Sequence, residues 1–249
     1  MKKATKFLLG IVLGILLLTP VSQVKADWHR DNVGWWYQTY YGSYYKDTEA
    51  QINGKWYKFD ERGYMMTGWY LREGRYVNGD IYKNWSYFDP VNGDKKLGWQ
   101  NIDGKWYYFL HHALKGFQKI GDKSYYFDPV NSDMKTGWIS KQGQRGLEWY
   151  YYDPESGAQV SGWQTIDGKT YCFDEFGKAF AGQVTFQDGK TYYFDPANCD
   201  LKTGWLELNG RKYYADPNDG GAFASNKTLV IDGVSYTFGI DGSVINNEP

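Results

Sequence analysis

Apolar and polar residues alternate in short bursts along most of the chain, and each burst ends in a turn containing Gly. The segment GWQNIDGKWYYF, residues 98–109, shows the pattern most clearly. A period of two puts successive side chains on opposite faces of an extended strand. Asp-Gly between two such runs marks a tight hairpin turn. The phrase returns as GWQTIDGKTYCF at 162–173, with Thr170 for Trp106 and Cys172 for Tyr108. WYYF-type strands begin at Trp35, Trp56, Trp85, Trp106, Ser124, Trp149, Thr170, Thr191, Lys212 and Ser235. Gly-Trp anchors at Trp99, Trp163 and Trp205 precede their strands by seven residues, and Phe117 is a variant anchor at the same offset. Two markers at one offset define a repeat.

A hairpin of this size buries too little surface to be stable alone, so the copies must stack. The pattern therefore predicts an all-β chain, a solenoid of about ten short β-hairpin repeats over residues 27–249, with no helical domain. At Trp69 and Trp138 the anchor-to-strand offset is stretched, and segments 70–84 and 139–148 read as longer surface loops. The FDP and FDE segments supply Asp-rich turns. The Phe that closes each strand (Phe59, Phe88, Phe109, Phe127, Phe173, Phe194) is the expected core.

Composition changes this picture in one respect. Aromatic residues make up 20% of the chain, with 24 Tyr, 13 Phe and 12 Trp, so the apolar material is mostly planar rings with polar tips. A plain stack needs apolar bulk, but not indoles at two fixed places per repeat. Two indoles and a phenol at a junction can hold a quaternary ammonium by cation–π attraction, and the same rings can stack on sugars. The formal net charge of −1 excludes the electrostatic footprint of a nucleic-acid binder.

Residues 1–26 read as a secretory signal: Lys2, Lys3 and Lys6, then LLGIVLGILLL, then a small-residue site ending at Ala26. The exported product is expected to have no membrane span. In an oxidising compartment Cys172 and Cys199 are candidates for one disulfide. No HExxH, GxSxG, P-loop or paired CxxC motif occurs, and His111-His112 reads as a variant turn. The loops at 89–94, 128–133 and 195–200 gather oxygens but lack calcium-loop spacing, so they read as turns. No metal or cofactor is expected.

With these phrases the chain resembles the choline-binding, or cell-wall-binding, repeats of streptococcal surface proteins and lytic enzymes. Residues 34–69, GWWYQTYYGSYYKDTEAQINGKWYKFDERGYMMTGW, are especially similar to the opening of autolysin-type choline-binding modules. The resemblance implies a hairpin solenoid and, as partner, choline or phosphorylcholine on teichoic or lipoteichoic acid. The implied sites use the Gly-Trp indole, the strand-leading Trp and a ring of the following repeat, often beside a Met. Carried onto this chain, they are Trp99 and Trp106 with Tyr126, Trp69 and Trp85 with Tyr108, and Trp138 and Trp149, where Cys172 occupies the third ring's position and Tyr171 has to substitute. Elsewhere the pattern decays: Glu49 and Gln183 stand at anchor positions, and Thr170, Thr191 and Lys212 at strand-leading ones. Residues 27–160 are thus choline-type and 161–249 more divergent, resembling repeats of glucan-binding glucosyltransferases and clostridial toxins.

The implied function is a non-catalytic, secreted protein held non-covalently on a Gram-positive cell wall, with an adhesive or modulatory role toward carbohydrate or host surface proteins. A glucan-binding repeat protein and a wall-hydrolase accessory protein are the alternatives.

Overall fold

The computed structural model describes residues 25–144 and 146–248. The secretory-signal reading falls on residues outside this range, apart from Lys25 and Ala26. The chain divides into two compact units between Lys96 and Leu97. Among the described residues each unit is built of antiparallel hairpins, ten small sheets in all, besides a single 3-10 turn at Pro217–Asp219. No described helix is long and apolar enough to cross a membrane.

The hairpins follow from local chemistry. In the strand pair Gly98–Ile102 and Lys105–Phe109 the turn residues Asp103 and Gly104 have φ of 52° and 78°. Two successive left-handed residues match the right-handed twist of the flanking strands, and Asp-Gly accepts that conformation at low cost. Beyond each hairpin an Asp-led turn brings the chain back. In one such turn the carboxylate of Asp89 accepts the N–H groups of Val91 and Asn92 at 2.9 and 2.8 Å.

A short third segment then bridges to the preceding hairpin. The N–H of Lys95 donates to the carbonyl of Trp56, that of Ala179 to Trp149 and that of Leu201 to Thr170, each at 2.8 Å. This link uses only the backbone of the strand-leading residue. A repeat led by Thr is therefore tied to its neighbour as firmly as one led by Trp. The expected core is buried: Phe59, Phe88, Phe127 and Phe194 are wholly inaccessible, with Phe109 and Phe173 nearly so.

Two expectations are corrected. Segments 70–84 and 139–148 are not loose loops but prolong their hairpins, giving strands Gly68–Arg75 and Ile81–Phe88, then Gly137–Gly143 and Gly146–Tyr152. The added residues pair across the hairpin, with Glu73 and Lys83 in contact at 2.9 Å. Cys172 and Cys199 are both free and buried. Cys172 stands opposite Trp163 on one face of its strand, whereas Cys199 packs with Tyr171 and Phe173, which project from the other face. The strand itself separates the two thiols, and burial raises both thiol pKa values, that of Cys172 to about 11.

The oxygen-rich loops hold lysines. Lys96 Nζ lies 2.6 Å from Asp89 and 3.5 Å from Asp94, and Lys202 Nζ lies 3.1 and 3.0 Å from Asp195 and Asp200. The Lys96 ammonium, and after it the N–H groups of Asn92 and Val91, lower the Asp89 carboxyl from 3.8 to about 2. Because the folded value lies below the unfolded one, this stabilisation is complete above about pH 4 and is lost as pH falls through about 2. Asp89→Asn is expected to lower the denaturation midpoint at pH 7, and the gap from the wild type should close as pH approaches 2. Unfolding curves across that range would refute this if the gap stayed constant.

Candidate functional site: aromatic boxes between hairpins

Because faces alternate along each strand, a hairpin such as that at residues 98–109 carries two kinds of ring. In Lys105–Phe109, Tyr107 and Phe109 point into the core, while Trp106 and Tyr108 share the other face with the anchor Trp99. Trp99 and Trp106 meet nearly perpendicular, centroids 6.3 Å apart, and Tyr108 lies across from Trp99 at 5.1 Å.

The following hairpin lays its opposite face over this group. Tyr125 reaches Trp99 at 4.8 Å and Phe127 reaches it at 5.9 Å. Tyr126, the expected third ring, is instead turned away, packing on Phe117 at 4.7 Å and on Tyr152 at 6.2 Å. The following hairpin meets Trp99 with the face opposite its own anchor Phe117, so the third ring comes from the strand's other register. The resulting cavity of 370 Å³ is lined by Trp99, Trp106, Tyr125, Met134, Glu155 and Ser156.

A second junction repeats this construction. Trp138 and Trp149 stand 6.5 Å apart at 83°, and Tyr171 lies 4.8 Å from Trp138, beside a cavity of 310 Å³ that Lys169, Ala197 and Asn198 complete. Cys172 holds the face-matched position, and Tyr171, the substitute, is the ring that reaches Trp138. Burial raises the Tyr171 hydroxyl pKa, so this ring stays neutral well past neutrality.

Trp69 and Trp85 come together in the first unit at 5.9 Å and 83°. Their longer sequence offset does no harm because the extra residues lie beyond the pair: Leu71 faces Trp85 as Asn101 faces Trp106. Tyr108, expected to join them, packs on Trp99 in the second unit.

Tyr125, Met134, Glu155 and Ser156 escape a reading of local motifs. Met134 bridges the strand end at Phe127, and Glu155 and Ser156 belong to the turn of the hairpin after that. The box thus draws on residues from Trp99 to Ser156, a span no short motif covers.

Two further junctions are filled. Around Trp163, where Thr170 leads the strand, Phe186 stands at 5.7 Å and Tyr192 at 5.1 Å, and Phe180 packs on Phe186 at 5.4 Å. Next to Trp56, Glu49 replaces the anchor indole and binds Lys95 at 2.8 Å.

Hairpins in series, with ring-walled cavities at Trp99 and Trp138, define an aromatic hairpin-repeat protein. Residues 114–162 and 160–201 match the family model described as choline-binding repeat, and 50–65, 98–110 and 203–220 match that described as putative cell wall binding repeat. The chain belongs to this choline-binding repeat family. The crystal structure of choline binding protein F from Streptococcus pneumoniae is 25% identical, with a TM-score of 0.55 over 88% of this chain and 92% of that one. The modular autolysin LytC from Streptococcus pneumoniae is 20% identical, with a TM-score of 0.45, over 90% of this chain and 53% of that one. Among curated proteins none matches significantly.

Proposed function

We propose that the chain is a non-catalytic, secreted surface protein that attaches to a Gram-positive cell wall by binding phosphorylcholine of teichoic and lipoteichoic acids. The residues assigned to binding are Trp99, Trp106 and Tyr125 in one box and Trp138, Trp149 and Tyr171 in the other. An adhesive or modulatory role would follow from that attachment.

The cavity at Trp99 carries this reading. A quaternary ammonium has no N–H to satisfy, and each ring it faces contributes about 0.5–2 kcal/mol according to how dry the contact is. A hydroxyl-rich sugar needs several hydrogen-bond partners, and apart from Tyr125 and the indole N–H groups only Glu155 and Ser156 bring polar side chains to the wall. The Glu155 carboxylate favours a cation. In the second box Lys169 and Asn198 supply donors suited to the phosphate that follows choline. One box binds weakly, but boxes in series on one polymer gain by effective concentration.

Titration of the intrinsic Trp fluorescence with choline, and separately with dextran, tests the proposal. Choline is expected to change the spectrum and to elute the protein from a choline resin, with dextran doing neither. A response to dextran that choline does not compete away would establish the carbohydrate alternative instead.

A further inference from the structure

We propose that Lys212 is a tethered ligand of a third aromatic box, formed by Trp205, Tyr214 and Tyr236, and that it shuts this box to free quaternary ammonium ions. The tether stands on geometry alone; the exclusion rests on the choline reading of the open boxes.

The ring frame is that of the open box. Trp205 lies 5.0 Å from Tyr214 and 4.7 Å from Tyr236, against 5.1 Å from Trp99 to Tyr108 and 4.8 Å from Trp99 to Tyr125. Phe238 backs Trp205 as Phe127 backs Trp99. Among the ring positions a single one differs: the strand-leading position, filled by Trp106 in the open box, is Lys212. Its ammonium stands 4.1 Å from the Trp205 ring centroid and 5.6 Å from that of Tyr236, both inside cation–π range.

An alternative partner is close at hand and is not taken. Glu207 is the cross-strand neighbour of Lys212, yet among the described residues the ammonium pairs with no carboxylate. It lies over the rings instead, in the place a choline headgroup would occupy.

The same exchange occurs at another junction. Phe117, whose strand is led by Ser124, has Lys141 Nζ 5.4 Å from its ring centroid, and Tyr150 of the next hairpin lies 5.4 Å from it. Over Trp99 and Trp138, whose strands are led by Trp, no described Lys or Arg stands. At these two junctions, where the second indole is missing, the chain provides a cation, whereas at Trp163 the ring of Phe186 takes the space. A lysine carried on the neighbouring strand is present at a high effective concentration that a free ion must exceed, and the box it fills has one fewer aromatic face to offer a competitor.

Nuclear magnetic resonance of the full chain tests both halves. In the absence of ligand, ring currents from Trp205 should move the Lys212 side-chain methylene protons upfield of the ordinary lysine range, and Trp205→Ala should restore them. Ordinary Lys212 shifts in the wild type would overturn the tether. With tetramethylammonium as probe, the indole N–H signals of Trp99, Trp106, Trp138 and Trp149 should move and that of Trp205 should not. In Lys212→Ala, and more strongly in Lys212→Trp, the Trp205 signal should respond as well, with unchanged Trp99 and Trp138 signals before titration showing that the fold is intact. A wild-type Trp205 response at the same concentration as Trp99, or none in either variant, would overturn the exclusion. Upfield Lys212 signals with no response at Trp99 or Trp138 would sink the choline reading while supporting the tether.

Discussion

Trp106→Thr is expected to abolish choline binding at the first box and leave the fold almost as stable as before, whereas Trp99→Ala should abolish binding and destabilise the second unit. The two indoles face one cavity but are held differently. Trp99 touches Tyr108, Tyr125 and Phe127, so its truncation removes contacts within its hairpin and across the junction. Loss of a fully buried Trp costs about 3–5 kcal/mol; Trp99 is only partly buried, and about 2–4 kcal/mol is expected on the same scale. Trp106 is 46% exposed and meets Trp99 by its edge. Its backbone position tolerates Thr, because Thr170 occupies the same place in a later copy and still accepts the bridging N–H of Leu201. A change within about 1 kcal/mol is expected there. Denaturant unfolding and choline titration of both variants separate the roles, and equal destabilisation by the two would contradict the assignment.

Gly157→Ala should weaken the same box from a distance. Gly157 has φ of +69°, and a Cβ placed on it would lie 2.3 Å from the Met134 methyl carbon. A left-handed non-Gly residue costs about 1–2 kcal/mol, while the flexible end of Met134 moves aside at little further cost in stability. Met134 lines the Trp99 cavity, so the displaced thioether should reach the ligand site. Gly168→Ala is the control: its φ is +75°, and a Cβ there meets nothing within 4 Å. It should show the backbone cost alone, with choline affinity unchanged. Equal effects of the two substitutions on choline affinity would remove Met134 from the site.

The repeat was legible because each hairpin is specified locally. Asp103-Gly104 sets the turn, alternation sets the faces, and the closing Phe sets the buried side. What lies between repeats was harder to read. Tyr126 and Tyr125 are neighbours in sequence and equally aromatic, and only the packing of one hairpin on the next decides that Tyr125 meets Trp99. The insertions near Trp85 and Trp149 resemble loops by their Gly and charge, yet their cross-strand register with the anchors makes them strand. The positions of Cys172 and Cys199 along the chain say nothing of whether they meet, and one strand keeps them on opposite sides. The sequence also marks Lys212 only as a lost Trp. That its ammonium takes up the vacated ring contact emerges from the packing.

The most direct test of the central claim is a choline titration of the full chain followed at the assigned indole N–H resonances. Saturable shifts are predicted at Trp99, Trp106, Trp138 and Trp149, with Trp163 and Trp205 unmoved. Choline that leaves those four signals in place, or that moves Trp163 and Trp205 equally, would contradict the account.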